Sequence, residues 1–315
     1  MFDYSTPSAG QRRPGRRRPP GRRPPRFGAG ALVAVVAVVA AVAAAAVLIA
    51  GHAFTSGTAG APQASATRSF ESHAQPLHLG ACIDPTLSIV QSFAPAIRQD
   101  LAAAVGGLAP RTGPPSTGGA TAPLPAVSLL VRQVDTTSFS SSPGPYTANV
   151  AVPGVPGLTA ARPGPSDPNY ASDLNTWSQA ATRITDDRKA AASAAASAGQ
   201  AVAAMPLDQN PVSDSAISAC VSALLVNVPP GGRHSYLLAS DLEENEPAQL
   251  EGSFGGAPLV IVQTCDSGDV STCQGLLQHF EALLHRLDVG PVTVIRPEDA
   301  GADIAQWIRT GEVTP

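Results

Sequence analysis

Leu77-His78-Leu79-Gly80-Ala81-Cys82-Ile83-Asp84-Pro85-Thr86-Leu87-Ser88 is the stretch whose reading decides the fold. Its opening half alternates as a short buried strand, with Leu79, Ala81 and Ile83 sharing one face. The strand ends in an acid and two hydroxyls. From Ser88 on, Val90, Phe93, Ile97, Leu101 and Val105 keep helical spacing. At such a strand-to-helix turn, a bent loop aims the side-chain oxygens of Asp84, Thr86 and Ser88 at one point. One carboxylate and two hydroxyls fill three corners of the octahedron that a hard divalent cation requires, leaving the rest to water or an incoming carboxylate. The same residue types are ordinary turn and N-cap formers, so the stretch taken alone also reads as a cap for the following helix.

Strands and helices alternate on either side of it. Ala126 to Val134 reads as a second strand. Tyr146 to Val152 reads as a third, at an edge because Pro153 and Pro156 close it off. Ser166 to Met205 is helix-prone, with Leu174, Trp177, Ala181 and Ile184 as its apolar stripe. A shorter helix starting near Ser213 or Ser215 carries Ile217, Cys220, Val221 and Leu224. Ser235 to Ser240 is a strand running straight into Asp241, and Leu259 to Gln263 is the next. Cys273 to Leu287 forms a helix, Val292 to Ile295 the last strand, and Ile304 to Ile308 a short terminal helix. This alternation predicts an α/β domain over residues 76–310, with a mostly parallel sheet flanked by helices and a Gly/Pro-rich internal loop at 106–125. In that architecture sites lie at the carboxyl ends of strands, where both Asp84 and Asp241 fall.

The remainder of the chain is organised differently. Residues 1–26 are an Arg/Pro/Gly tract without apolar periodicity and read as a disordered cytoplasmic tail. Phe27 to Gly51 lacks any charge and is long enough for a single transmembrane helix. Eight arginines precede it and only Arg68 closely follows, which places the N-terminus in the cytoplasm and the C-terminal domain outside the cell membrane. A cleaved signal peptide is the alternative, given Gly51-His52-Ala53; the length of the apolar run favours an uncleaved anchor. Residues 52–75, rich in Ala, Ser, Thr and Gly, read as a flexible stalk. Lys189 is the sole lysine, as in GC-rich bacterial genes. Residues 1–51 hold eight Arg against Asp3, or +7, so the net charge of −4 leaves −11 for the remainder. Without a basic patch beyond the N-terminus, a nucleic-acid partner is not expected.

All four cysteines lie beyond the apolar segment, on the side where disulfides persist. Cys265 and Cys273 bracket a short polar turn, which makes a local Cys265–Cys273 bridge easy and leaves Cys82–Cys220 as the second. Zinc is the alternative, but no Cys-x-x-Cys or His-x-x-x-His spacing supports it. Nor is there a Gly-x-Ser-x-Gly elbow, a P-loop or a Gly-x-Gly-x-x-Gly fingerprint. His78 and His234 are the available bases, and the six histidines do not cluster in sequence. The chain is therefore not expected to be an enzyme, with an uncharacterised hydrolase as the less favoured possibility.

Asp84-x-Thr86-x-Ser88 after a hydrophobic strand resembles the Asp-x-Ser-x-Ser motif of von Willebrand factor A domains. Ser240-Asp241-Leu242, after Tyr236-Leu237-Leu238, is similar to that family's third motif, the Asp after its fourth strand. Ser215-Ala216-Ile217-Ser218-Ala219-Cys220 resembles the second, in which a Thr starts the preceding helix. The resemblance covers roughly residues 77–310. It implies a Rossmann-like fold with a metal-ion-dependent adhesion site that usually holds magnesium. Thr86 and Ser88 would ligate directly, Asp84, Ser215 and Asp241 directly or through water, and a protein partner's carboxylate would complete the shell. The sequence departs from the pattern at Pro85, at Thr86 in place of Ser, and at Ser215 in place of Thr without the usual following acid. Ser213 and Asp214 offer an alternative register. A structural envelope protein of the same fold without a metal is the alternative implied function.

Overall fold

The computed structural model describes residues 69–85, 92–111, 119–134, 146–208, 216–243, 250–264 and 270–314. Six strands form the main sheet in the order β4-β3-β2-β6-β7-β8. They are β2 (Leu77–Ile83), β3 (Val127–Gln133), β4 (Thr147–Val152), β6 (Arg233–Ser240), β7 (Leu259–Gln263) and β8 (Val292–Ile295). Every pairing is parallel except β3 with β4, where the edge strand expected at 146–152 runs antiparallel. A second, two-stranded ladder pairs β1 (Glu71–Ser72) with β5 (Gly157–Leu158). The helices are α1 (Phe93–Gly106), α2 (Tyr170–Ala203), α3 (Ile217–Asn227), α4 (Val270–Leu284) and α5 (Ala300–Thr310).

Strand alternation divides the core into two layers. Leu79, Ala81 and Ile83, with Leu129, Val131, Leu237, Ala239, Val260 and Val262, point to the layer that α1, α2 and α5 cover. Cys82, Tyr236, Leu238, Leu259 and Ile261 point the other way, against α3 and α4. Because both faces are covered, the middle of each central strand is mostly apolar, as parallel sheets favour. The long helix α2 buries Ala180, Ala191, Ala195, Ala198 and Val202, small side chains that allow a close approach to α1. Gly199 marks the tightest point. A Cβ there would sit 2.7 Å from the Ala102 carbonyl oxygen.

The fold reaches into the stretch expected as stalk. Phe70 is buried at 2% exposure and its carbonyl accepts the Thr159 N–H, so the apolar group on an otherwise polar run is held by the domain. The β1–β5 ladder was not legible, since two-residue strands carry no periodicity. Among the described residues no helix is long and apolar enough to cross a membrane. The span expected at Phe27 to Gly51, with the tail before it and most of the stalk after it, lies outside the described residues.

The topology fixes where a site can form. From β2 the chain moves through α1 to β3 and β4 on one side, then crosses to β6, β7 and β8 on the other. The carboxyl ends of β2 and β6 therefore flank the point where the strand order reverses, the crevice in which open α/β sheets bind ligands.

Candidate functional site at the carboxyl ends of the central strands

Asp84 directly follows β2 and Asp241 directly follows β6, the two strands beside the reversal point. Their ladder continues one step past the sheet, because the Asp84 N–H donates to the Ala239 carbonyl at 2.9 Å. That bond sets Asp84 opposite Ser240. The Ser240 hydroxyl donates to Asp84 Oδ2 at 2.8 Å and accepts the Leu242 N–H at 3.0 Å. Asp84 is fully buried and Asp241 is 9% exposed. The helix that follows β2 takes Ser92, not Asp84, as its N-cap. Asp84 accepts the Ser240 hydroxyl.

The turn after β6 is tightly shaped. Asp241 Oδ1 accepts the Glu243 N–H at 3.0 Å. Leu242, between them, has φ of 66°, a left-handed conformation uncommon for a bulky residue, with its side chain buried at 4% exposure. Strain of this kind persists only where the surroundings over-determine it, and it clusters at ligand sites. The outcome is one satisfied and one unsatisfied carboxylate oxygen. Asp241 Oδ2 is buried and has no hydrogen-bond partner among the described residues. A buried carboxylate oxygen left unpaired costs more than a typical hydrogen bond contributes, which makes it a cation-seeking group.

Two further polar groups, absent from the sequence expectation, sit at the same end of the sheet. Arg132 is buried at 5% exposure on β3, in register with Cys82 and so on the face that Asp84 continues. Gln133 is buried beside Ile83, and its Oε1 accepts the Asp208 N–H at 2.8 Å, tying the exit of α2 to the sheet. The only signal for either in the sequence is a charged and an amide residue closing an apolar strand. Thr86, Ser88 and Ser215, with the alternative Ser213, lie outside the described residues. Asp84 and Asp241 are the members of the expected ligand set that the described structure brings together.

The rim is covalently braced. Cys82, two residues before Asp84, is bonded to Cys220 on α3 with a Cα–Cα distance of 6.2 Å. Both are fully buried. The helix expected to start with the second motif is therefore stapled to the strand that carries the first. Cys273 is also disulfide-bonded; its expected partner Cys265 lies outside the described residues. Among the described residues no group of three or more His, Cys, Asp or Glu converges as a metal site.

No family model matches this chain, and no match was found among curated proteins. Among solved structures, the chain is similar to the human COPII-coat protein Sec24c at 12% identity and a TM-score of 0.30. The likeness covers 76% of this chain and spans 33% of that one. The functional reading therefore rests on the geometry of the rim.

His78 and His234 are brought together at the opposite, amino end of the sheet, where their rings meet edge-on with centroids 5.5 Å apart. His78 Nδ1 lies 2.7 Å from the Ser128 hydroxyl, and His234 Nε2 lies 2.9 Å from the Gly231 carbonyl. Burial, and then the charge of His234, lowers the His78 imidazole below its ordinary value. Neither histidine is near Asp84 or Asp241, so neither serves that site as a base.

Ser240 offers a test of the local geometry. Ser240→Ala leaves a buried carboxylate oxygen of Asp84 without its hydroxyl donor, and unfolding in urea is expected to show a loss of about 1–3 kcal/mol. A loss below experimental error would mean that Asp84 does not depend on this bond.

Proposed function

We propose that the chain is a membrane-anchored, extracytoplasmic binding module of the von Willebrand factor A type, with a degenerate metal-ion-dependent adhesion site. The observation that carries this reading is the bond from Ser240 to Asp84 at the reversal point of the sheet, next to Asp241, whose Oδ2 is buried and has no partner among the described residues. Two carboxylates at one rim repel unless a proton or a cation intervenes. A magnesium ion fits this donor set because its ligands are hard oxygens in the right chemical class. Asp84 and Asp241 would supply charge, with Thr86, Ser88 and Ser215 as hydroxyl ligands. Open positions would accept a Glu or Asp carboxylate from a protein partner. The anchor at Phe27–Gly51, with the N-terminus cytoplasmic, belongs to the same reading and rests on the arginine asymmetry.

A second reading is favoured by one observation. Arg132 is a buried, permanent cation on the face that Asp84 continues, and a guanidinium is a sufficient counter-ion for a carboxylate rim. In that case the rim is a metal-free structural element and any partner is bound by the loops alone.

Thermal unfolding of the full-length chain separates the two. Millimolar magnesium is expected to raise the melting temperature and a chelator to reverse the rise, since an ion that binds only the folded state stabilises it by mass action. Asp84→Ala should abolish the response, while Glu312→Ala, at the opposite end of the domain, should retain it. A wild-type melting temperature indifferent to magnesium, manganese and chelator would favour the arginine-neutralised rim.

A further inference from the structure

We propose that a second site, at the amino end of the sheet, binds a single-chain amphiphile with an oxyanion head. A cavity of about 680 Å³ lies there, where β3 begins and β4 ends, and it is remote from Asp84 and Asp241. Its walls are aliphatic, including Leu108, Leu124 and Val155, and Leu124 is a large apolar side chain left 43% exposed. Arginines from three separate elements line it: Arg111 just past α1, Arg188 on α2 and Arg309 in the last turn of α5.

The charge arrangement runs against the trend of the molecule. Beyond residue 51 the chain carries a net −11, yet no Asp or Glu is among the described residues lining this cavity. Arg111 and Arg309 are exposed and form no ion pair among the described residues. Guanidinium groups present forked donors that match carboxylate and phosphate oxygens. An apolar chamber with a few convergent polar groups is the usual form of a small-molecule site, and the volume falls within the range of roughly 300–1,000 Å³ for such sites. It is too small for both chains of a membrane phospholipid. Among the described residues it has no aromatic ring on which a base could stack, which argues against a nucleotide. One aliphatic chain with an anionic head satisfies the walls and the arginines together.

The experiment uses the full-length chain in phosphatidylcholine nanodiscs, titrated with the fluorescent fatty acid dansylundecanoic acid and corrected against empty discs. Saturable binding with a blue-shifted emission is expected, and the methyl ester of the probe should bind at least about tenfold more weakly. The double variant R111E/R309E should weaken binding by a similar factor at an unchanged melting temperature, because both side chains are exposed. Binding should survive chelator and Asp84→Ala, which separates this site from the carboxyl rim. Displacement by decanoic acid at lower concentration than by decyl phosphate assigns a carboxylate head; the reverse order assigns a phosphate head. The proposal is overturned if the wild type does not saturate, if acid and ester bind equally, or if R111E/R309E binds the acid as the wild type does.

Discussion

Replacing Cys82 and Cys220 together by Ala is expected to lower the unfolding free energy of the chain by about 2–5 kcal/mol, read by urea denaturation. The bridge joins residues separated by 138 positions, so its removal releases a long loop in the unfolded chain. The chain-entropy contribution grows only logarithmically with loop length, which keeps the figure within that range rather than far above it. Two small core voids add to it, because both sulfurs are fully buried between β2 and α3. The consequence reaches the rim. With the staple gone, α3 loses its covalent tie to the strand that delivers Asp84, and the response to magnesium should weaken as well. A double variant as stable as the wild type would show that the bridge constrains nothing that packing does not already hold.

Trp307→Ala is expected to cost about 3–5 kcal/mol, the range for deleting a large buried aromatic side chain. Trp307 is fully buried in the layer under α5, and its indole Nε1–H donates to the Ser235 hydroxyl at 2.7 Å. That bond ties the last helix to the central strand β6. Trp307→Phe retains most of the apolar volume but leaves Ser235 without this donor, so its cost should be nearer about 1 kcal/mol. The order Ala worse than Phe identifies packing as the larger contribution; equal losses would assign the effect to the hydrogen bond.

Where the sequence was legible, the reason is periodicity. Leu79, Ala81 and Ile83 on alternate positions, and Phe93, Ile97 and Leu101 at helical spacing, are imposed by burial on one face, and the structure places all six in one core layer. The mostly parallel character of the sheet was legible from the helices between most of the strands, whereas the strand order was not. The edge position of β4 was legible from the two prolines beyond it, because a proline lacks the donor an inner strand needs. The Cys82–Cys220 pairing was legible by elimination, once a local bridge was assigned to the other two cysteines.

What was not legible depends on contacts distant in sequence. Phe70 in the core, and the ladder between Glu71–Ser72 and Gly157–Leu158, require a partner 85 or more residues away for strands too short to carry a pattern. Arg132 reads as an ordinary charged residue in sequence; only its register with Cys82 reveals that it is buried beside the rim. The positive φ of Leu242, and an Asp241 Oδ2 with no partner among the described residues, are products of a turn, and no residue type announces them. The same holds for Arg111, Arg188 and Arg309, which are scattered over the chain and meet only at one cavity.

The most direct measurement of the central claim is an isothermal titration of magnesium into the purified full-length chain, beside Asp84→Ala, Asp241→Asn and Glu312→Ala. An open site built partly from neutral hydroxyls should bind weakly, with a Kd on the order of 10⁻⁴–10⁻³ M. One saturable site per chain is expected, lost in Asp84→Ala and Asp241→Asn and retained in Glu312→Ala. No saturable heat with the wild type, or binding that survives both rim substitutions, would contradict it.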